Sequence, residues 1–185
     1  MSYLIPRLSM SELDPRLADL LRPKVERLNY LGEFFQCIGH QPHALISFYT
    51  LTEDLKKALP DNLTELVALT VAVKMNYAYE RVQHERLAVK LGFSEVWVRA
   101  VISLRAKSGG QLSETELQVQ QFAMSVLERN GQETETELKQ VIQAIGHKDA
   151  VAVLMLIGRC VMHALIANCL ALKPPVNSPL VSVSR

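Results

Sequence analysis

Between Asn62 and Gly92 the chain reads NLTELVALTVAVKMNYAYERVQHERLAVKLG and gathers carboxylates, an imidazole and phenols beside an apolar helical face. Tyr77, Glu80 and His84 recur at spacings of three and four, which on a helix brings their side chains to one side. A His four residues after a Glu can donate a hydrogen bond to it or pair with it, which fixes the ring and raises its basicity. Glu65 lies 19 residues before His84, roughly 28 Å along one straight helix at about 1.5 Å of rise per residue. The two meet only if the chain folds back. Two carboxylates and an imidazole joined in this way, with the phenols of Tyr77 or Tyr79 beside them, suit proton transfer.

The elements that must position these groups can be read from spacing and caps. Leu63, Leu66, Leu69, Ala72 and Val73 mark the buried face of a helix that carries Glu65 near its start. The turn is expected at Lys74 to Asn76, with Asn76 as the N-cap of a helix beginning at Tyr77. Gly92 is the expected C′ residue of that helix, and Ser94 the N-cap of another running to about Ala106 with Trp97, Val98, Val101 and Ile102. Upstream, residues 1–12 read as an extended arm, Asp14 and Pro15 open a short helix through Leu21, and Pro23 starts a second piece. The apolar spacing from Lys24 to Cys37 is interrupted by Gly32 and ended by Gly39, and Pro42 opens a helix to about Leu59. Downstream, Ser113 with Glu116 forms a capping box for a helix to Asn130, and Thr134 with Glu137 forms a second box for a helix to about Ile145, closed by Gly146. The last helix, Ala150 to Leu172, is the most apolar, and the tail from Pro174 reads as mobile or docked on a neighbouring subunit.

Composition bounds the rest. With 185 residues and 49% hydrophobic content the chain is expected to form a single domain over 1–185, with its core motif at 60–105. Eight Gly and eight Pro are few, and the abundance of Leu, Ala, Val, Glu, Gln and Lys predicts an all-α fold of about seven or eight helices. A formal charge of +1 without any Lys or Arg run argues against a nucleic-acid partner. The last helix has a membrane span's length, but Arg159 would sit near the bilayer centre at a cost of roughly 3 kcal/mol, so no membrane association is expected. Cys37, Cys160 and Cys169 form no CxxC and read as free buried thiols; with an N-terminus unlike a secretory signal, this points to the cytoplasm. No metal is expected either, because di-iron bundles use Glu-x-x-His and the residue three after Glu80 is Gln83.

The segment E65-L-V-A-L followed by N76-Y-A-Y-E80-R-V-Q-H84-E-R-L-A88-V-K-L-G92-F-S94 resembles the carboxymuconolactone decarboxylase family, which also contains the alkyl hydroperoxidase D-like proteins. The resemblance is densest over about 60–105 and implies the helical alkyl hydroperoxidase D-like fold, with assembly into trimers or hexamers. Relatives in the peroxidase branch carry a CxxC pair, with three residues separating its second Cys from a His and a Glu further upstream. Here Glu65 and His84 match the Glu and His, while Tyr77 and Glu80 stand at the thiol positions, an argument against thiol-dependent peroxidase chemistry. The pattern is similar to the decarboxylase branch, which removes CO₂ from a carboxylated lactone without cofactor.

The resemblance therefore implies a cofactor-independent lyase or proton-transfer enzyme acting on a small carboxylated lactone or organic acid. His84 moves the proton, Glu80 orients it, Glu65 is a second acid or base, Tyr77 and Tyr79 line the pocket, and Arg81 neutralises the substrate's carboxylate. Arg81 is the weakest of these, pointing about 100° away from Glu80 on the helix. The alternative is a non-catalytic ligand-binding or oligomeric module on the same fold. Each residue also has a plainer reading: His84 as a structural histidine, Glu80 as a surface helix contact, Glu65 as a helix-start acid, the tyrosines as core aromatics. Arg159 and His163, four apart on the last helix, read as packing or subunit contacts, and His40 and His43 as parts of a turn and a helix start.

Overall fold

The computed structural model describes residues 4–105 and 107–180, and these fold into eight α-helices without strands. They fall into two compact units, residues 1–54 and 55–185.

In the first unit, α1 (Pro15–Leu28) is opened by Asp14, whose side chain accepts the Arg16 N–H, with Pro15 in the first turn. It runs on through Pro23 to a left-handed Asn29. The helix thus does not stop at Leu21: a proline removes one backbone donor but leaves the apolar face of Leu17, Ala18 and Leu21 continuous with the turns beyond it. Gly32 does not interrupt a helix but is the N-cap of α2 (Glu33–Ile38). Phe34 packs on Phe35 and Phe48, with ring centroids 5.6 and 5.7 Å apart. The N-terminal arm is held at its middle, where Leu8 N–H donates to Gln36 O and Arg7 pairs with Glu33 at 3.1 Å, while Leu4 is fully exposed. His40 lies 3.0 Å from Pro6 O, and His43 3.3 Å from Arg16 Nη2. α3 (Pro42–Ala58) carries the chain out of this unit.

The second unit is organised round α4 (Asp61–Lys74), in which every residue from Leu63 to Ala72 is buried. A helix buried on all sides must be surrounded, and α4 packs against α5 (Ala78–Lys90), α6 (Glu95–Ser103), α7 (Glu114–Arg129) and α8 (Glu135–Cys169). Polar side chains tie these neighbours to it. Glu116 closes the capping box with Ser113 and also accepts from Asn62 of α4 and from the Trp97 indole of α6. Gln120 donates to Thr70 Oγ1 and to Val101 O, and Asn168 of α8 donates to Met75 O at the end of α4.

The turn between α4 and α5 lies at 75–77, where the fold-back was expected, but Asn76 does a different job there. With φ 50° it is the left-handed residue that closes α4: its N–H donates to Val73 O and the Tyr77 N–H to Ala72 O, a Schellman arrangement. Tyr77, not Asn76, occupies the N-cap of α5, and no side chain caps it. At the other end of α5, Gly92 (φ 97°) closes the helix in the same way, and Ser94 accepts the Trp97 N–H to start α6. α6 stops at Ser103; its expected end, Ala106, lies outside the described residues, as do 1–3 and 181–185 of the arm and tail. The second expected capping box does not form. Thr134 donates to Gly131 O, and Glu137 is drawn instead to Ser125 and Arg129. Gly146 (φ 80°, ψ 167°) breaks α8, and the segment after it buries Ala150, Val153, Ile157, Cys160, Ala164 and Ala167. Among the described residues only α8 has the length and apolar composition to cross a membrane, and half of its most apolar window is buried inside the protein.

Candidate active site

Glu65 sits in the second turn of α4 and is 2% exposed, surrounded by apolar neighbours. A buried carboxylate needs a partner, and the Schellman turn supplies it by reversing the chain so that α5 returns along α4. His84 Nδ1 then lies 2.7 Å from Glu65 Oε2. The other ring nitrogen, Nε2, lies 3.2 Å from Glu80 Oε2 one turn earlier on α5. A ring that faces a carboxylate from both nitrogens can satisfy both only as the doubly protonated imidazolium. Burial works to lower its pKa, but the charge of Glu65 and the hydrogen bonds to Glu65 and Glu80 prevail and raise it to about 9.

Glu80 is where three elements meet. Its Oε2 also takes Arg159 Nη1 at 3.2 Å and lies 3.1 Å from His163 Nδ1, both on α8. All of these contacts fall on Oε2, and none on Oε1. Burial alone would raise the Glu80 pKa, yet the charges of His163 and then Arg159, with the hydrogen bonds from His163 and His84, hold it well below the usual carboxylate range. Glu65, His84, Glu80 and Arg159 thus form a row of alternating negative and positive groups, with side chains at most 14% exposed.

The expected site residues are mostly brought together. Glu65, Glu80 and His84 converge. Tyr77 and Tyr79 are both buried beside them, their rings stacked 6.2 Å apart, and each stands edge-on to His163 at 5.5 and 6.4 Å. The Tyr77 hydroxyl is buried with no hydrogen-bond partner among the described residues. Arg81 is not with them. It points away round α5 to pair with Glu85 at 3.4 Å, where Ser178 of the C-terminal segment also donates. The cation on Glu80 is instead Arg159, and with His163 it joins the cluster rather than serving only as packing. Their i, i+4 spacing on an otherwise apolar helix was the signal: two costly groups on one face imply a shared polar partner. Cys160 belongs here too, its Sγ 3.9 Å from Arg159 Nη1. Burial pushes its pKa up to about 11, against the pull of Arg159, so it is a neutral thiol. The described residues hold no group of three or more His, Cys, Asp and Glu side chains disposed to bind a metal ion.

No family model matches the chain, and no curated relative does. Solved structures match it over nearly their whole length. The debrominase Bmp8 in its apo form superposes with a TM-score of 0.81 at 15% identity, covering 95% of this chain and 94% of that one. A cysteine-to-alanine variant of Bmp8 in complex with 2,3,4-tribromopyrrole gives 0.79 at 16%, covering 94% and 92%. An alkylhydroperoxidase AhpD core, a peroxidase-related protein from Ralstonia eutropha, gives 0.79 at 14%, covering 91% and 90%. At such identities the likeness is one of architecture, and the chain has the all-α, AhpD-like helical fold.

Proposed function

We propose that the protein is a cofactor-independent proton-transfer enzyme of the carboxymuconolactone decarboxylase type, acting on a small carboxylated lactone or organic acid. The observation that carries this reading is His84 held between Glu65 and Glu80. At neutral pH the imidazolium stores a proton next to a carboxylate whose second oxygen, Oε1, is not engaged by the described residues. Transfer from Nε2 to Oε2 makes Glu80 a transient neutral acid, strong because its pKa is held low, and rotation of its carboxyl group turns that O–H to the carbanion left when CO₂ departs. Glu65 steadies the ring, and Arg159 keeps Glu80 ionised between turnovers. In this scheme Glu80 is the outermost member of the relay and His84 its reservoir. Tyr77 and Glu80 at the thiol positions, with Cys160 held neutral, support this over peroxidase chemistry. The test is turnover of carboxylated lactones and 2-oxo acids by wild type and His84→Ala; equal rates would remove the relay.

A second reading is a ligand-binding module without catalysis, favoured by the occupation of both His84 nitrogens and by the three groups on Glu80 Oε2. A ligand that raises the melting temperature and is never consumed would support it. For the assembled protein we propose a homo-oligomer, trimer or hexamer, joined through the exposed Val151, Met155, Met162 and Leu165 of α8. Sedimentation of a monomer at all concentrations would rule this out.

A further inference from the structure

One group in the cluster has no role in the relay. Tyr77 is 3% exposed, and its hydroxyl is a buried donor with no partner among the described residues. Unpaired buried hydroxyls are rare and costly, and their persistence calls for an explanation. The ring is not free to seek one, being stacked on Tyr79 and braced edge-on by His163. His163 Nδ1 is in turn 3.1 Å from Glu80, so the phenol stands one ring away from the relay's outer carboxylate. Glu80 turns Oε2 to the protein and leaves Oε1 without a partner among the described residues. The site therefore presents one unused donor and one unused carboxylate oxygen.

We infer that the Tyr77 hydroxyl is the donor to a substrate carbonyl oxygen on which negative charge develops, so that the substrate is an acid or lactone whose carbonyl is conjugated to the carbon losing CO₂. The inference rests on the proton-transfer reading above and adds the electron sink. The C–C bond to the carboxylate breaks, CO₂ leaves, and the electron pair moves onto the carbonyl oxygen as an enolate, which accepts the hydrogen bond from Tyr77. Collapse of the enolate forms a C–H bond with the proton that His84 has passed to Glu80, Glu80 is left ionised as before, and a proton from solvent restores the His84 imidazolium. Burial, first, and the nearby Glu80 charge push the Tyr77 phenol far above its usual range, so it donates a hydrogen bond and keeps its proton. A donor fixed in a water-poor site before the charge appears needs no reorganisation when it does.

The experiment compares wild type with Tyr77→Phe, which removes only the unpaired oxygen and is expected to fold with an unchanged or higher melting temperature. On acetoacetate, oxaloacetate and an unsaturated γ-carboxylated lactone, kcat should fall about 100-fold with KM within about threefold. Oxalate, an enolate mimic, should bind wild type at least about tenfold tighter than Tyr77→Phe by calorimetry. A kcat within threefold of wild type in Tyr77→Phe overturns the donor role and leaves the relay standing. Turnover only of acids lacking a conjugated carbonyl overturns the substrate class. If no acid is turned over, the relay reading has failed, and oxalate binding equally to both proteins, or to neither, overturns this inference as well.

Discussion

Arg159 and Glu80 lie 79 residues apart in the chain and 3.2 Å apart in space, Nη1 to Oε2, with side chains only 10% and 14% exposed. The pair fastens α8 to α5 at the point where α5 also carries His84. A site built on two adjacent helices is thereby locked by a third. Arg81, the cation nearest to Glu80 in sequence, is directed elsewhere because successive residues on a helix diverge by about 100°.

Removing Arg159 should therefore unsettle more than one contact. Arg159→Met keeps much of the stem's packing but leaves a buried carboxylate with one cation fewer, and the loss of stability should be about 3 kcal/mol in urea unfolding. Adding Glu80→Gln should recover part of it, because the uncompensated charge is gone. A double variant no more stable than the single one would show that charge pairing is not what holds α8 here.

The His84 proton makes stability fall as pH rises. Its ordinary pKa of 6.5 is raised to about 9 in the fold, so the folded state binds the proton more tightly than the unfolded chain does. The contribution is complete below about pH 6.5, declines between 6.5 and 9, and is lost above. Glu80 acts on the acid side: with its pKa depressed, its contribution is present above the ordinary 4.5 and lost as pH falls through the lowered value. Melting temperatures of the wild type should peak between these limits. His84→Gln should flatten the alkaline limb, and an unchanged slope there would contradict the assignment.

What the sequence revealed and what it concealed divide along a physical line. Local rules identified Ser94, Gly92 and the Ser113–Glu116 box, since each depends on residues within three or four positions. The Glu65–His84 approach was also legible, because a carboxylate on an apolar helix has to find a partner and the turn between them is short. Asn76 was ambiguous, being equally suited to begin a helix or to end one in the left-handed region; the backbone donors of 76 and 77 decided for the end of α4. The Thr134–Glu137 box failed on both sides: the Thr134 hydroxyl turns to Gly131 O, and Arg129, across the turn, offers Glu137 a full charge in place of a backbone N–H. Arg159 and His163 were visible as anomalies on an apolar helix, but which polar group they meet is set by how α8 packs on α4 and α5, information that no local spacing contains.

Asn76 offers a direct test of that turn. At φ 50° a glycine is free of strain, so Asn76→Gly should leave stability within about 0.5 kcal/mol of wild type, whereas the β-branched Asn76→Val should lose roughly 1–2 kcal/mol. Because the turn sets how α5 returns along α4, the Val variant should also shift the His84 ring signals in NMR spectra. Equal stability of the two variants would mean that residue 76 can leave the left-handed region without disturbing the site.

The cysteines separate proton chemistry from thiol chemistry. Cys169 is exposed at the end of α8, while Cys37 and Cys160 are buried and burial raises the pKa of each. In the folded protein a thiol reagent at pH 8 should modify one cysteine rapidly, and Cys169→Ser should abolish that phase. Cys160 is the informative one, since its sulfur touches Arg159 within the cluster. If the site moves protons, Cys160→Ala should keep kcat within a few-fold and lose stability only by the small cavity it leaves, about 1 kcal/mol. If instead Cys160 is a nucleophile or redox centre, that variant should lose activity altogether and Cys160→Ser should not restore it. The neutral state of the thiol, next to an arginine whose charge is already directed at Glu80, favours the first outcome.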